Sequence, residues 1–551
     1  MSKVRLALAQ TNPIVGDIEG NLQNILEIVK DAHNRQVDVL VFGEMAITGY
    51  PIEDLASRES FILDAELAVR RLSEALVTHS INQMAVVIGH PAMASSQEQT
   101  GWAIAQNCAT VLLDGKVLGR YAKHHLPNYS VFDEYRTFVP GNELLTFSHK
   151  GLNFSTVICE DIWQAGGPVS KLSANKTDVA LILNGSPFEI DKDDKRFALI
   201  SELAKKHGCA AAYVNLVGGQ DDLVFDGDSI FVDSKARLVA RLRQFKTDLV
   251  SVDITAPDEI IVVDEHYLTK PNDNWQVWNA LVLGLKDYVN KNGFKSVVLG
   301  LSGGIDSAVC ATIAADAIGA ENVFGVSMPS RYSSDHSKDD ALDLAERRSM
   351  NYQVQPIEEM VKAFELPLGL DGLSAENLQA RVRGVILMAL SNKEGHLTLT
   401  TGNKSELAVG YSTIYGDTVG GYAPLKDVEK TLVWELARWR NEYAIQRNEQ
   451  PPIPVNSIDK APSAELKPGQ VDQDSLPPYD VLDAILEAYV NGRKSKTEIV
   501  RYGFDEAMVQ RVLTLVDRAE WKRRQGAIGP KITGMAFGRD RRLPITNKYK
   551  G

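Results

Sequence analysis

The sequence predicts an α/β protein with two folded units. Short buried strands alternate with helical stretches along most of the 551 residues. A polar stretch broken by two prolines, residues 254–275, separates two regions of different texture. Hydrophobic residues make up 44% and charged residues 24%, which excludes a mainly disordered, collagen-like or disulfide-scaffold chain. We therefore expect domains at 1–255 and 276–551, joined by a linker at 256–275.

Charge and cysteine usage exclude several further classes. The 59 basic and 72 acidic side chains give a net charge of −13, which disfavours non-specific nucleic-acid binding. The four cysteines form no CxxC pair, so neither a zinc site nor a disulfide framework is expected. The chain contains no 18-residue apolar run, and its start lacks the apolar region of a signal peptide. We expect a cytoplasmic protein with no membrane or nucleic-acid partner.

The first region contains many predicted strands and few predicted long helices. Residues 20–34 place Leu22, Ile25 and Val29 on one helical face. Strands are predicted at 4–9, 37–42, 84–90, 108–113, 154–159, 178–184 and 211–217. This pattern indicates sheets that pack face to face with helices outside, but it leaves parallel and antiparallel pairing open.

The second region alternates strands and helices more regularly. A helix is expected from Trp278 onward, and another from Asp306. The remaining elements predicted are strands at 296–301, 323–328, 351–356 and 396–401 and helices at 337–349 and 374–392. Such repetition predicts a parallel sheet with right-handed crossovers.

The last part of the chain contains a proline-rich segment. Residues 451–478 contain seven prolines and are predicted to be a long loop, of the kind that often forms a lid. Residues 479–520 are predicted to be helical, and the tail at 521–551 is basic and rich in glycine.

A glycine-rich segment follows the predicted strand at 296–301 and opens a helix. Its sequence is Gly300-Leu301-Ser302-Gly303-Gly304-Ile305-Asp306-Ser307. Adjacent glycines let the backbone approach an anion, and a helix N-terminus supplies free N–H groups. A plain glycine turn is the alternative, and the GxxxxGK[ST] pattern is absent. If the bound anion is a polyphosphate, the carboxylate of Asp306 beside it is best explained as a Mg²⁺ ligand.

This segment resembles the pyrophosphate-binding loop of the N-type ATP pyrophosphatases, which cleave ATP between its α and β phosphates. Thr400 to Glu406 follow another predicted strand, so Thr401 is a candidate ATP contact and Glu406 a second magnesium ligand. With residues 415–427 and 376–381, these segments resemble the synthetase domain of NAD synthetases. The resemblance implies a Rossmann-like sheet, ATP as co-substrate, Mg²⁺ as cofactor, and deamido-NAD⁺ contacts from Asn377, Arg381, Glu406, Lys426, Asp427 and Lys522.

Three residues of the first region suggest amide chemistry. Glu44, Lys123 and Cys159 each lie near the end of a predicted strand or turn. A thiol attacks a carboxamide when a base removes its proton, which Glu44 can do. The positive charge of Lys123 can stabilise the oxyanion that forms. Taken alone, Cys159 is better explained as a buried structural thiol than as a nucleophile.

The segments around these residues resemble the Glu–Lys–Cys triad of the nitrilase superfamily, whose fold is an α-β-β-α sandwich. The stretch 124–138 is similar to the family's glutaminase stretch and offers Glu134 as a second acid. The resemblance also implies that Tyr129, Ser186 and Lys192 bind glutamine.

The order of the two regions resembles that of the glutamine-dependent NAD⁺ synthetases. This resemblance implies that glutamine hydrolysis supplies ammonia, that ATP adenylates deamido-NAD⁺, and that ammonia displaces AMP to give NAD⁺. It also implies a homo-oligomer. Two alternatives stay open at this point: another amidotransferase with the same phosphate loop, and a non-enzymatic nucleotide-binding protein.

Overall fold

A computed structural model describes residues 3–467 and 469–549. The chain forms two compact units. One contains the chain up to Gln220 together with Val224–Asn272, and the other contains Asp221–Leu223 and the chain from Asp273 onward.

The elements up to residue 262 are mostly strands. In chain order they are β1 (Val4–Gln10), α1 (Ile18–Asn34), β2 (Val39–Phe42), α2 (Glu59–Thr78), β3 (Ala85–Met93), β4 (Ala105–Leu113), β5 (Lys116–Ala122), α3 (Glu134–Thr137), β6 (Leu145–His149), β7 (Leu152–Ile158), β8 (Val179–Asn184), α4 (Lys192–His207), β9 (Ala210–Asn215), β10 (Val217–Gln220), β11 (Leu223–Asp226), β12 (Ile230–Val232), β13 (Leu238–Arg241), β14 (Asp248–Ala256) and β15 (Glu259–Val262).

Two mixed sheets form the centre of the first unit. One has the order β15-β14-β1-β2-β3-β4-β5 and the other β13-β12-β9-β8-β7-β6. In the first sheet β1, β2 and β3 are parallel, with Leu8 opposite Val41. In the second sheet β7, β8 and β9 are parallel. Side chains of both sheets, such as Val41 and Leu181, share one buried apolar cluster, so the sheets pack face to face.

Helices cover the outer faces of these sheets. The buried face of α1, which includes Leu22, Ile25 and Val29, packs with α2 against Leu40 and other residues on the outer face of the first sheet. Asp17 caps α1 by accepting a hydrogen bond from the Gly20 N–H. α4 contacts β9 and β12 of the second sheet. The predicted α-β-β-α sandwich is therefore confirmed.

The second unit is richer in helices. Its elements are α5 (Asp273–Lys291), β16 (Val297–Gly300), α6 (Ile305–Ile318), β17 (Val323–Ser327), α7 (Asp335–Arg348), β18 (Asn351–Val354), α8 (Glu358–Leu368), α9 (Gly372–Glu394), β19 (Leu397–Thr398), α10 (Lys404–Val409), α11 (Lys430–Gln446), α12 (Val455–Asp459), α13 (Tyr479–Leu486), α14 (Lys496–Val500), α15 (Glu506–Arg518) and α16 (Glu520–Arg523). Its four-stranded sheet has the order β18-β17-β16-β19 and is parallel, as predicted.

Two expectations about connecting segments need correction. The expected linker at 256–275 contains β15, which pairs antiparallel with β14 and extends the first sheet. Its apolar residues Ile260, Ile261 and Val262 form this edge strand, so the irregular connection is limited to 263–272. The proline-rich segment is mostly irregular but contains α12 and a 3₁₀ turn at Asp472–Asp474. Pro468, one of its seven prolines, lies outside the described residues.

No helix in residues 3–467 or 469–549 has the length and apolar character that crossing a membrane requires.

Two candidate active sites

Glu44, Lys123 and Cys159 all follow strand ends in the first unit. Glu44 comes two residues after β2, Lys123 directly after β5, and Cys159 directly after β7. The Glu44 N–H donates to the Asn184 carbonyl at 3.3 Å, which connects the end of β2 to the end of β8 in the other sheet. All three predicted side chains are buried in the unit. Ligands of α/β proteins commonly bind at such strand ends.

Tight turns aim these side chains into the site. Met45, next to Glu44, and Cys159 itself have φ values of 53° and 40°, a region that residues other than glycine rarely adopt. The turn at Glu44 also requires Gly89 on β3. A Cβ at Gly89 would lie 2.4 Å from the Gly43 carbonyl oxygen, which is closer than any tolerable contact.

The Glu44 carboxylate is fixed by three hydrogen bonds. Its Oε1 accepts from Lys123 Nζ at 2.8 Å and from Asn107 Nδ2 at 2.6 Å. Its Oε2 accepts from the Gly185 backbone N–H at 2.8 Å. These bonds fix the position of the carboxylate that is the candidate base.

A second carboxylate, Glu134, shares the same lysine. Lys123 Nζ lies 2.8 Å from Glu134 Oε2, and the Tyr50 hydroxyl donates to Glu134 Oε1 at 2.8 Å. Burial raises the pKa of Glu134 to about 7, which the charge of Lys123 partly opposes. Burial would lower the pKa of Lys123, but the charges of Glu134 and Glu44 outweigh it and hold that pKa well above the ordinary range. The lysine is therefore an ammonium at neutral pH.

Cys159 is a neutral thiol in this environment. Burial, and then the charge of Glu44, raise the pKa of Cys159 well above its usual value, while Lys123 acts in the opposite direction. A neutral thiol is a poor nucleophile, so attack requires a base that takes the proton. The charge effects also show that the three groups interact electrostatically.

Two of the predicted glutamine-binding residues connect to this centre. The Tyr129 hydroxyl donates to Glu160 Oε2 at 2.9 Å, and Glu160 follows Cys159 in the chain. Ser186 follows Gly185 and is buried. The third, Lys192, is the first residue of α4, and its Nζ lies 3.5 Å from Glu189 Oε1.

Arg196 and Asn215 hold the chain at Ser186. Arg196 Nη2 donates to the carbonyl oxygens of Ser186 and Pro187, both at 2.9 Å. The same guanidinium forms a buried ion pair with Asp226 at 2.7 Å. Asn215 accepts from the Ser186 N–H at 2.9 Å and donates to its carbonyl at 3.1 Å.

The second unit contains a cavity of about 300 Å³ above the glycine-rich loop. Every residue from Gly300 to Ser307 except Gly303 lines it, and Thr401 and Glu406 do too. Gly303 has a φ of 77°, and a Cβ there would lie 2.2 Å from the Ser337 carbonyl oxygen, so only glycine fits. The loop leads into α6, whose N-terminal N–H groups favour an anion.

Asp306 and Glu406 lie on either side of one buried ammonium. Lys430 Nζ donates to Asp306 Oδ2 and, at 3.1 Å, to Glu406 Oε1. Asn403 Nδ2 donates to the other Asp306 oxygen at 2.9 Å. Two carboxylates that already share a cation, beside a phosphate loop, fit the needs of Mg²⁺, which binds one or two carboxylates plus substrate phosphates. In the described part of the chain, no group of three or more His, Cys, Asp or Glu side chains forms a metal site by itself.

Five of the six predicted dinucleotide contacts do not line this cavity, whereas Glu406 does. Their side chains instead bind neighbouring loops. The five and their partners are Asn377 with Thr413, Arg381 with the Ile414 carbonyl, Lys426 with the Ala527 carbonyl, Asp427 with the N–H groups of Ile532 and Thr533, and Lys522 with the carbonyls of Gly410 and Ser412.

The proline-rich segment forms one wall of the cavity. Residues 460–466 and Asp472 line it. Glu465 Oε1 accepts from the hydroxyls of Ser334 and Ser337 at 2.8 and 2.7 Å, at the start of α7. Lys460 Nζ donates to the Ser337 hydroxyl at 2.7 Å.

Sequence reasoning missed several residues of both sites. They are Asn107, Asp161, Arg196, Asn403 and Lys430. Asn403 lies between Thr401 and Glu406, so its position after a strand was a usable signal. Nothing in the pattern distinguishes Arg196 or Lys430 from the exposed basic residues of other helices.

Two family profiles match the chain, one for each region. The family described as carbon-nitrogen hydrolase matches residues 5–259. The family described as NAD synthase matches residues 277–526.

Relatives of similar length cover the whole chain. A glutamine-dependent NAD(+) synthetase of Acinetobacter baylyi is 43% identical, over 100% of this chain and 99% of its own length. One of Aquifex aeolicus is 40% identical, over 99% of this chain and 100% of its own. The solved structure of the Acinetobacter baumannii enzyme in complex with ADP is 41% identical, covers 99% of both chains and has a TM-score of 0.77. A Cytophaga hutchinsonii structure at 24% identity, covering 99% of this chain and 98% of its own, has the same fold with a TM-score of 0.82.

Proposed function

Because the chain belongs to the family of glutamine-dependent NAD(+) synthetases, we propose that the site around Cys159 releases ammonia and that the site beside the loop at 300–307 consumes it. The enzyme is a carbon–nitrogen ligase. Glutamine hydrolysis supplies ammonia, ATP adenylates deamido-NAD⁺, and amidation gives NAD⁺ with release of AMP and pyrophosphate. The first of these steps belongs to the first unit, and the other two belong to the second.

Cys159, Glu44 and Lys123 carry out the hydrolysis in this proposal. The Cys159 sulfur attacks the glutamine carboxamide carbon while Glu44 takes the thiol proton. Lys123 stabilises the tetrahedral oxyanion. Glu44 then gives its proton to the nitrogen, ammonia leaves, and a γ-glutamyl thioester remains. Water, deprotonated by Glu44, hydrolyses that thioester to glutamate and the free thiol.

The observation that carries this assignment is the preformed Glu44–Lys123 pair beside a neutral thiol. Glu134 keeps the charge of the lysine compensated while Glu44 is protonated, because both carboxylates contact the same ammonium. Tyr129, Ser186 and Lys192 are proposed to bind the amino-acid end of glutamine. Support for Ser186 comes from its chain position beside Gly185, which donates to Glu44.

The cavity of the second unit is proposed to hold ATP on residues 300–307 and Thr401. The carboxylate of deamido-NAD⁺ attacks the α-phosphorus, pyrophosphate leaves, and ammonia then displaces AMP from the acyl adenylate. Asp306 and Glu406 are proposed to hold Mg²⁺, which would neutralise phosphate charge when bound. Lys430, which contacts both carboxylates, must shift toward the phosphates for this to happen. Asn377, Arg381, Lys426, Asp427 and Lys522 are proposed to shape the dinucleotide site by holding its loops.

We also propose a cytoplasmic homo-oligomer. The four cysteines are free thiols, which suits a reducing compartment. Exposed apolar side chains lie on the neighbouring helices α8 and α9, and a second copy of the chain would cover them. They are Phe364, Leu366, Leu368, Leu373 and Val385.

Product analysis tests the overall proposal. The purified chain is incubated with ATP, Mg²⁺, glutamine and deamido-NAD⁺, and NAD⁺, AMP, pyrophosphate and glutamate are quantified. Equal amounts of NAD⁺ and AMP are expected. AMP release that depends on a different acceptor, with no NAD⁺, would favour another amidotransferase.

A further inference from the structure

Asp161 receives hydrogen bonds from two separate parts of the glutaminase site. Its Oδ1 accepts from the backbone N–H groups of His124 and His125, at 3.0 and 2.8 Å. Its Oδ2 accepts from the Tyr121 hydroxyl at 2.7 Å and from the Ile158 N–H at 3.0 Å. The side chain is fully buried.

These donors flank the two groups on which the proposed hydrolysis depends. Tyr121 lies two residues before Lys123, and His124 and His125 are the two residues after it. Ile158 immediately precedes Cys159. Strands β5 and β7 belong to different sheets, so this one carboxylate connects the ends of both sheets next to their reactive side chains.

The connection matters because the Cys159 turn is strained. Its φ of 40° costs free energy unless surrounding contacts hold it. The bond from the Ile158 N–H to Asp161 closes this turn on one side, and the bonds from His124 and His125 fix it against the lysine segment.

All four partners of Asp161 donate, so only an acceptor on both oxygens satisfies them. A carboxylate meets this need, whereas an asparagine has one acceptor oxygen and an NH₂ group that would face two donors. Asp161→Asn therefore keeps the shape of the side chain but loses the hydrogen bonds to one of its two ends.

We propose that Asp161 is a positioning residue that holds Lys123 and Cys159 at the separation that amide hydrolysis requires. It does not touch the substrate. The inference rests on the proposed glutaminase site and adds to it the group that sets its geometry.

The test compares Asp161→Asn and Tyr121→Phe with a matched control, Asp233→Asn. Tyr121→Phe removes one of the four bonds and keeps the ring. Asp233 is also buried and accepts from the backbone N–H groups of Lys235 and Arg237, but it lies in the turn between β12 and β13. Each variant is assayed for glutamine hydrolysis, for thermal unfolding and, in a Cys159→Ala background that does not hydrolyse glutamine, for glutamine affinity by calorimetry.

We expect Asp161→Asn to lower kcat for glutamine about 100-fold, because a displacement of about 1 Å costs that much. Tyr121→Phe should lower kcat about 3- to 10-fold, since one bond of four is lost. Glutamine affinity should stay within about threefold of the parent in both, because the binding side chains are unchanged. Asp233→Asn should unfold at a lower temperature and keep its kcat.

Three results would overturn the proposal. They are a kcat within about threefold of the parent in Asp161→Asn, an equal loss of kcat in Asp233→Asn, or a loss of glutamine affinity that accounts for the whole effect. The function of the site is judged separately, because loss of glutamine hydrolysis in Cys159→Ala does not depend on Asp161.

Discussion

Cys159 is the proposed nucleophile of glutamine hydrolysis. Replacing it with alanine should lower glutamine-dependent NAD⁺ formation more than about 1000-fold, because alanine offers no nucleophile. NAD⁺ formation from ammonium salt should remain largely intact, since Asp306 and Glu406 belong to the other unit. The measurement is the NAD⁺ rate at saturating ATP and deamido-NAD⁺ with either nitrogen donor. Glutamine-dependent activity in the folded variant would exclude Cys159 as the nucleophile.

The rate of alkylation should report the protonation state of the Cys159 thiol. Burial and Glu44 raise the pKa of this thiol well above its ordinary value, so the thiolate fraction grows with pH across the neutral range. The rate of iodoacetamide labelling should rise steadily from about pH 7 to about pH 9. Cys159→Ala gives the background from the other three cysteines, which are buried. A plateau at neutral pH would instead indicate a preformed thiolate.

Asp306 is a proposed Mg²⁺ ligand for the adenylation step at the second site. Asp306→Asn should lower NAD⁺ formation more than about 100-fold, equal to about 2.7 kcal/mol, with either nitrogen donor. The physical reason is the loss of one negative charge from a pair that would bind Mg²⁺. Pyrophosphate release without ammonia isolates this step. Adenylate formation at the normal rate would contradict the metal-ligand role.

At the scale of elements, the proline-rich segment 451–478 remains a predicted lid. Its contacts through Glu465 to Ser334 and Ser337 would have to loosen for nucleotide to enter the cavity that it lines. We expect ATP with deamido-NAD⁺ to protect this segment from limited proteolysis, and we expect Glu465→Ala to increase cleavage of the ligand-free chain. Glu449→Ala, outside the segment, is the control. Cleavage that is equal with and without ligands would rule out a lid.

The predicted strands were largely confirmed, whereas several helices were missed. Runs such as 37–42 and 178–184 are buried on both faces, so their composition alone indicates strands. α2 and α11 gave no comparable signal, although α2 has 20 residues and α11 has 17. The face of α11 that is buried includes Lys430, Arg440 and Asn441, which a hydrophobic pattern cannot identify.

At the scale of the whole molecule, the sequence singles out the candidate reactive residues but not the residues that hold them in place. The cysteine triad and the phosphate loop lie in local segments that follow strands, so they could be found by position and resemblance. Lys430 contacts a residue that is 124 positions away in the sequence, and Asp161 contacts one that is 37 positions away. Such pairs come together only when the chain folds. The dinucleotide residues were placed by resemblance alone, and their main contacts are to loops.

Assembly can be tested through the apolar surface of α8 and α9. Leu366, Leu373 and Val385 are 76%, 71% and 68% exposed. If a second copy covers them, Leu373→Glu should reduce the mass measured by light scattering, because burying a charge in an apolar contact is costly. Trp102→Glu, at an equally exposed site of the other unit, is the control and should leave the mass unchanged. An unchanged mass in Leu373→Glu would place the interface elsewhere.

The three hydrogen bonds to Glu44 have a consequence for the path of its proton. A carboxylate has about four lone-pair directions, and Lys123, Asn107 and Gly185 occupy three of them. One direction on Oε2 is left, so in the proposed hydrolysis the proton taken from the thiol would arrive and depart along the same line. In that mechanism, the third hydrogen of ammonia is the one that Cys159 gave up, and Glu44 would not exchange it with solvent from another side. We therefore expect the rate of glutamine hydrolysis, measured in mixtures of light and heavy water, to fall linearly with the deuterium fraction. A linear dependence indicates that one proton moves during release of ammonia.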